Sequence, residues 1–365
     1  MVRSKAVLTP AIILKDYASG KTLHTQDLLE SAARYGAPLL TVHRAHLRQA
    51  LYDEAIALGA DVRFGVSVEA NNSDIEKGTL TISGEGCPCE TFHADLFVGA
   101  DGANSVIREA LTGRKSEAIP HGKVVHRIVV DESLIRERPS LHYLVEKPNV
   151  IVWLGPNSQA VTYSMAGVFN IAFTRPWSLD PADAFFGPRE VDLEAFQAQL
   201  AAEAWDPQLR ELISLGRDCL RWMFFEPKID DEETPWVDTN AKFCIVGDAA
   251  HQTLPYLQVK DCLDVYQRLR KERTGHASKE FPVCVRASLK NGEIWQLPNG
   301  PLKEERDRVF LHETPSAGFP NLLADPFFQN WLWGFDAPKA ANEAWELYAQ
   351  QPLVADRAEA TYPSA

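Results

Sequence analysis

The sequence predicts a mixed α/β fold in which strands that lead into helices are interrupted by an antiparallel sheet. Residues 43–111 alternate between helical and strand-like patterns, and residues 124–175 contain four strand-like runs with little helix between them. Residues 242–251 then return to a strand followed by a turn. Alternating strands and helices are typical of α/β layers, whereas consecutive strands indicate an antiparallel sheet. The antiparallel part is therefore predicted to be a second domain or a large insertion.

The first elements follow from short apolar runs and their boundaries. Residues 6–23 predict two strands joined by a turn at Gly20, because small residues separate two apolar runs. Residues 43–60 predict a helix, with apolar side chains on one stripe and Gly59 after its last turn. The alternating apolar residues of 61–70 predict a half-buried strand.

The later elements continue this order. Residues 93–111 predict an apolar strand, a glycine-rich turn and a helix, and residues 189–216 predict helix that is broken at Asp206-Pro207. Residues 242–251 predict another strand, a turn and the start of a helix. From residue 277 onward, short helical pieces are mixed with proline, glycine and charge.

Composition narrows the classes of function. The chain has 365 residues, with 50 acidic and 37 basic side chains and a formal net charge of −13. This charge argues against a nucleic-acid partner and against anionic membranes. We expect no membrane span, because no apolar run reaches about 18 residues. The six cysteines and ten histidines are scattered without metal-ligand spacing, so we expect no metal site. The first twenty residues contain no apolar core long enough for a signal peptide, so we expect a cytoplasmic location with reduced thiols.

One motif with chemical meaning is Leu-Phe-Val-Gly-Ala-Asp-Gly-Ala-Asn-Ser-Val-Ile-Arg, residues 96–108. An apolar strand ends here, and Gly102 allows a tight turn and close approach of a ligand. Asp101 follows the carboxyl end of the strand, where open α/β sheets bind ligands. Ser105 is expected to cap the next helix and to leave free N–H groups that attract phosphate. A turn without any ligand remains an alternative for this motif taken alone.

A second motif, residues 244–251, repeats this pattern. An apolar strand leads to Gly247 and Asp248, followed by small residues that permit close packing of a helix. Asp248 is expected to accept a hydrogen bond from a ligand hydroxyl, for example on a sugar-alcohol chain. Because the two motifs flank the predicted antiparallel sheet, they support a shared ligand site more strongly than either does alone.

The chain resembles FAD-dependent aromatic-ring monooxygenases of the salicylate hydroxylase-like group found in fungi. The resemblance is carried by residues 41–51 (TVHRAHLRQAL), residues 96–108 (LFVGADGANSVIR) and residues 244–257 (CIVGDAAHQTLPYL). It implies FAD as cofactor, NAD(P)H as electron donor, O₂ as co-substrate and a small phenolic or carboxylated aromatic as substrate. It also implies a role in secondary metabolism. We infer no protein partner from the sequence.

The resemblance also implies a domain arrangement. An incomplete FAD/NAD(P)-binding domain of the three-layer ββα type is expected from residues 1–120 and 217–276. The substrate-binding antiparallel β-sheet is expected as an insertion at residues 121–216. Residues 277–365 are expected to form an irregular and helical tail.

Five residues are implied to contact the cofactor. Arg44 would contact the flavin from the start of its helix, and Asp101 would lie near the pyrophosphate. Gly247 and Asp248 form the second motif, in which Asp248 would hold the ribityl chain. Pro255 would face the isoalloxazine ring.

Two further residues are implied to orient the substrate. Arg127 and Tyr163 lie in strand-like runs at positions where related enzymes hold a phenolate. A guanidinium can bind an anionic phenol or carboxylate, and a tyrosine hydroxyl adds a directional hydrogen bond. The alternatives are a salt bridge to a neighbouring strand for Arg127, and core packing with a satisfied hydroxyl for Tyr163.

The sequence departs from the family pattern in two ways. No G-x-G-x-x-G occurs in it, and the helix expected soon after Gln258 is missing. These departures predict a truncated chain whose affinity for FAD lies far below that of an intact relative. Two other interpretations stay open: a non-catalytic remnant or gene-model fragment that does not hold FAD stably, and another flavin enzyme of this fold, such as a halogenase or reductase.

Overall fold

The computed structural model describes most of the chain. The described residues are 2–69, 77–84, 87–114, 118–178, 180–227, 235–240, 242–251 and 293–349. Pro255 and the position after Gln258 lie outside them. In the part of the chain that is described, no helix is both long enough and apolar enough to cross a bilayer.

The secondary-structure elements are numbered in chain order. The strands are β1 (Ala6–Leu8), β2 (Ala11–Asp16), β3 (Thr22–Asp27), β4 (Leu40–Val42), β5 (Val66–Val68), β6 (Thr79–Gly84), β7 (Cys87–His93), β8 (Phe97–Gly99), β9 (Ala118–Asp131), β10 (Val150–Gly155), β11 (Ser158–Ser164), β12 (Val168–Pro176), β13 (Arg189–Val191), β14 (Cys219–Pro227) and β15 (Phe243–Ile245). The helices are α1 (Leu28–Tyr35), α2 (Arg44–Ala57), α3 (Val106–Thr112), α4 (Glu132–Arg136), α5 (Tyr143–Glu146), α6 (Leu193–Ala202), α7 (Pro207–Ser214), α8 (Asp248–His251), α9 (Pro301–His312), α10 (Pro326–Trp333) and α11 (Ala337–Ala349).

An eight-stranded sheet dominates the fold. Its strand order is β13-β14-β9-β12-β11-β10-β2-β3, and every pair is antiparallel except β10 with β2. The sheet recruits β2, β3 and β14 from outside residues 121–216. The antiparallel sheet is thus larger than the segment assigned to it from the sequence, and the domain boundaries stay a prediction.

One face of this sheet packs against helices α4 to α7. Alternate side chains of a strand point to opposite faces, so every second residue of β9 to β12 enters this core. Its apolar side chains are almost completely buried: Ile128, Val130, Ile135, Leu141, Ile151, Trp153, Phe169, Ile171, Phe173, Leu200, Leu209, Leu212 and Ile213. The indole N–H of Trp153 donates to Asp206 Oδ2 at 2.7 Å, which satisfies its polar atom inside the core.

The other face is covered at one end by the segment that contains α9. Leu14, Val152 and Leu154 from the sheet pack with Trp295 and Phe310. Lys303 of α9 pairs with Asp16 at 2.6 Å and with Asp307 at 2.8 Å, which fixes this helix against the sheet. The rest of this face carries the polar side chains of the candidate site.

A smaller parallel pair, β8 with β15, forms a separate layer. Phe97 stacks on Phe243, with ring centroids 4.7 Å apart, and Ile245 and Ile107 bury the contact with α3. All three residues of β15 are buried, whereas Val98 in the middle of β8 is exposed. This pair holds the two glycine–aspartate turns.

Three segments differ from the sequence-based expectations. The stretch before Gly20 forms two strands, β1 and β2, instead of one, because Pro10 between them lacks the N–H that a strand donates. Residues 61–69 form a strand only at Val66–Val68, because Gly65 has a positive φ of 73° that interrupts the extended backbone. Residues 189–191 form strand β13 instead of helix, because they pair with β14 at the sheet edge. The break at Asp206-Pro207 is confirmed: α6 ends before it, and Asp206 caps α7.

Candidate active site

The two aspartate turns lie side by side. Strands β8 and β15 are parallel, Gly99 is the register partner of Ile245, and Val246 N donates to Gly99 O at 2.9 Å. Asp101 and Asp248 therefore leave the sheet at the same edge, although 146 residues separate them along the chain. The carboxyl edge of parallel strands is where open α/β sheets bind ligands.

A glycine opens each turn to close approach of a ligand. Gly102 has φ +82° and Gly247 has φ +61°, a backbone conformation that favours glycine. Among the residues that the structure describes, a Cβ atom at either position would meet no heavy atom within 4 Å, so these residues leave the space beside both turns open. A bound molecule could therefore contact the main-chain atoms of Gly102 and Gly247 directly.

Arg108 ties the two turns together. Its Nη1 donates to Ala249 O at 2.8 Å and more weakly to Asp248 O at 3.4 Å, and its Nη2 donates to Ala103 O at 2.5 Å. Arg108 is only 3% exposed. Burial lowers the pKa of its guanidinium, and the carboxylates of Asp101 and Glu109 oppose that shift. Arg108 is the last residue of the motif at residues 96–108, but nothing in the sequence predicted a role for it.

Asp101 is used mainly within its own turn. Its Oδ2 accepts from Val106 N at 2.8 Å and from Ile107 N at 3.3 Å, while Ser105 Oγ accepts from Arg108 N at 2.9 Å. The predicted cap by Ser105 is confirmed. The expectation of free N–H groups for phosphate is wrong, because Asp101 and Ser105 occupy the first amides of α3.

Asp248 is the free carboxylate of the pair. Its side chain is exposed, and throughout the described segments it makes no hydrogen bond or ion pair. A free carboxylate beside an open glycine turn can accept hydrogen bonds from ligand hydroxyls. These residues fit a polyhydroxyl group such as the ribityl chain of FAD.

The polar face of the large sheet brings Arg127 and Tyr163 into one cluster with Asn170. Tyr163 and Asn170 are directly opposite in register on β11 and β12, and Arg127 of β9 is diagonal to Asn170. Arg127 Nε donates to Asn170 Oδ1 at 2.9 Å. Among the described residues, no carboxylate pairs with Arg127. The salt bridge considered for Arg127 from the sequence is absent from the described structure.

Tyr163 keeps its proton in this setting. Burial raises the pKa of the Tyr163 hydroxyl, and the positive charges of Arg127 and Arg44 oppose that shift. In the described part of the chain, this hydroxyl forms no hydrogen bond. A protonated hydroxyl without a partner is available to donate to an anionic ligand.

Arg44 lies near this cluster at the first position of α2. The helix is capped by His43, whose Nδ1 accepts from Ala45 N at 3.2 Å. Thr41 Oγ1 donates to Ser164 O at 2.6 Å, which anchors the start of α2 beside the end of β11. The exposed Arg44 side chain therefore adds positive charge close to Tyr163.

The predicted site residues thus form two groups. Asp101, Gly247 and Asp248 meet at the edge of the parallel pair. Arg127 and Tyr163 lie on one face of the large sheet, and Arg44 of α2 is near enough to act electrostatically on Tyr163. Within the described part of the chain, no hydrogen bond or ion pair joins a member of one group to a member of the other. In the described segments, no group of three or more metal-ligating side chains is clustered.

The chain is similar to a known protein family and to several curated proteins. Residues 19–216 match the model of the FAD binding domain. An FAD-dependent monooxygenase, OpS4 of Beauveria bassiana, is 28% identical over 94% of this chain and 83% of its own length. A 3-hydroxybenzoate 6-hydroxylase of Polaromonas naphthalenivorans is 28% identical over 92% of this chain and 81% of its own length.

Solved structures share the fold. FqzB has a TM-score of 0.66 at 19% identity and covers 99% of this chain and 80% of its own. A salicylate hydroxylase in complex with its substrate has a TM-score of 0.65 at 16% identity, covering 94% and 85%. At these identities the match establishes the fold.

Proposed function

This chain belongs to the FAD binding domain family, and we propose that it uses FAD, NAD(P)H and O₂ to hydroxylate an anionic phenolic or carboxylated aromatic. Its matched relatives include FAD-dependent monooxygenases and a hydroxybenzoate hydroxylase. One observation carries the choice of an anionic substrate. Arg127 is a half-buried cation that has no carboxylate partner among the described residues of a chain with net charge −13.

The cofactor-binding assignments are part of this proposal. Asp248, beside the open turn at Gly247, would accept hydrogen bonds from the ribityl hydroxyls. Asp101 would support the neighbouring turn of this site by capping α3. Arg44 would contribute positive charge between cofactor and substrate. Bound FAD supplies the redox chemistry that activates O₂, which no side chain can supply.

The substrate-facing side chains bind and orient. The Arg127 guanidinium would attract a carboxylate or phenolate and hold it by paired N–H donors. Tyr163 would donate a hydrogen bond to the same anion, since burial keeps its hydroxyl protonated. Ala172, the register partner of Arg127, has a small side chain. Two positive charges near the anion would favour the phenolate form, which is the more electron-rich ring.

Turnover with simple probes tests the proposal. The full chain, supplied with FAD, NADH or NADPH, and 3-hydroxybenzoate or salicylate, should oxidise the nicotinamide faster with the aromatic than without it. Mass spectrometry should then detect a hydroxylated product. Arg127→Met should abolish the stimulation, while Arg138→Met, at an exposed arginine without side-chain hydrogen bonds in the described residues, should retain it.

The same assay separates the alternatives. Nicotinamide oxidation without an oxygenated product would favour a reductase, and halide incorporation would favour a halogenase. Failure to take up FAD would favour a non-catalytic remnant. The proposed cytoplasmic location is tested separately, by fractionating cells that express the full chain.

A further inference from the structure

We propose that Asn170 is a positioning residue that makes the Arg127 site select anionic over neutral aromatics. This inference rests on the proposed function, because it assumes that Arg127 binds the anionic group of the substrate. The observation behind it is the hydrogen bond from Arg127 Nε to Asn170 Oδ1 at 2.9 Å.

Asn170 holds the guanidinium in one plane. It is only 2% exposed, and its position in the middle of β12, between β9 and β11, leaves its side chain little freedom. A guanidinium is planar, so a bond at Nε fixes the orientation of the whole group. In the described residues, Nη1 and Nη2 of Arg127 make no hydrogen bond. These atoms form the fork that pairs with a carboxylate in two parallel hydrogen bonds.

The neutrality of the amide matters as much as its position. An aspartate at this place would also accept from Nε, but its charge would cancel that of Arg127 and compete with the substrate anion. An amide oxygen supplies the orienting bond and leaves the positive charge uncompensated. Since the chain carries 50 acidic and 37 basic side chains, a half-buried arginine bonded to an amide alone is available to an external anion.

Tyr163 lies on the other side of the same asparagine. Tyr163 and Asn170 are register partners, so their side chains share one face and stand next to each other. The fork of Arg127 and the hydroxyl of Tyr163 therefore flank Asn170 on the same side of the sheet. An anion between them would receive donors from both, with Asn170 setting the position of the first.

Asn170→Asp is the decisive variant, measured by calorimetric titration of the full chain with 3-hydroxybenzoate and with neutral 3-hydroxybenzamide. We expect the affinity for 3-hydroxybenzoate to fall by about tenfold or more, the equivalent of one lost charge-assisted hydrogen bond. The affinity for 3-hydroxybenzamide should change by less than about twofold, because a neutral ligand gains little from the Arg127 charge. Asn157→Asp, the same change at an exposed asparagine between β10 and β11, should leave both affinities unchanged.

Asn170→Ala provides a second measurement if Asn170→Asp does not fold. This variant keeps the charge of Arg127 but removes the hydrogen bond that fixes the orientation of its guanidinium. The ratio of the affinity for 3-hydroxybenzoate to that for 3-hydroxybenzamide should therefore fall by about threefold or more. Equal losses for both probes, or no loss for either, would overturn the role of Asn170. If Arg127→Met binds 3-hydroxybenzoate as the native chain does, the proposed function fails. If Arg127→Met loses that binding while Asn170→Asp keeps it, only the inference about Asn170 fails.

Discussion

Replacing Arg108 by methionine should remove the hydrogen bonds that hold the two aspartate turns together and destabilise this region locally. The guanidinium makes two short bonds to backbone carbonyls, 2.8 Å to Ala249 O and 2.5 Å to Ala103 O, and a longer one to Asp248 O. Hydrogen bonds from charged groups each contribute about 1.5–3 kcal/mol. Methionine fills much of the volume but donates no hydrogen bond, so we expect this region to lose about 3–6 kcal/mol.

Hydrogen exchange measured by mass spectrometry can localise this loss. Peptides that contain Phe97–Gly99 and Phe243–Ile245 should exchange faster in Arg108→Met, whereas peptides from β10 to β12 should be unchanged. Arg138→Met provides the control, because Arg138 is exposed and has no side-chain hydrogen bond in the described residues. Arg108→Lys keeps the charge but cannot span both turns, and it should give an intermediate rate.

One outcome would refute the argument about Arg108. If Arg108→Met exchanges at the native rate in both strands, the guanidinium does not hold the turns together. Accelerated exchange over the whole chain would also contradict the argument, since it would indicate global rather than local destabilisation.

Three other substitutions test the large sheet. His126 is buried, and burial together with nearby arginines lowers its pKa to about 4 from the value of 6.5 expected in the unfolded chain. Between these two pH values the unfolded chain binds more protons than the folded chain. The free energy of unfolding should therefore fall as the pH is lowered from 6.5 to 4. About 2 kcal/mol of the loss between pH 7 and pH 5 should disappear in His126→Phe, measured by urea unfolding at both pH values. Gly155→Ala should destabilise the fold by about 1–3 kcal/mol in the same assay, because the new Cβ would lie 2.5 Å from Trp205 Cη2; an unchanged midpoint would contradict the close packing. Trp153→Phe should cost about 1–3 kcal/mol by leaving Asp206 without its indole donor, and a neutral result would show that the contact contributes nothing.

The sequence predicted the parts of the fold that depend on local patterns. The mixed α/β class is confirmed, as are the resemblance to FAD-dependent monooxygenases and FAD as the cofactor. The strand, turn and helix at residues 93–111 and the break at Asp206-Pro207 were predictable because glycine, proline and apolar runs act over a few residues. The assignments of Arg44, Asp101, Gly247, Asp248, Pro255, Arg127 and Tyr163 stay predictions.

Contacts between distant segments were not predictable in the same way. Nothing local marks Arg108 as a link, because its acceptor Ala249 lies 141 residues away. Asn170 sits inside a run that reads simply as a strand, and its neighbours Arg127 and Tyr163 are set by the register of three strands. The Ser105 cap of α3 was predicted, but the second cap by Asp101 was missed, since the sequence does not reveal that Asp101 turns back to Val106 and Ile107.

If the turns at Asp101 and Asp248 form one site for FAD, a titration of the full chain with FAD should show it. We predict saturable binding of one FAD per chain, and a loss of about tenfold or more in affinity for Asp248→Asn. Asp183→Asn, at an exposed aspartate outside both turns, should bind as the native chain does. The absence of saturable binding, or equal affinity in Asp248→Asn and the native chain, would contradict a single FAD site at these turns.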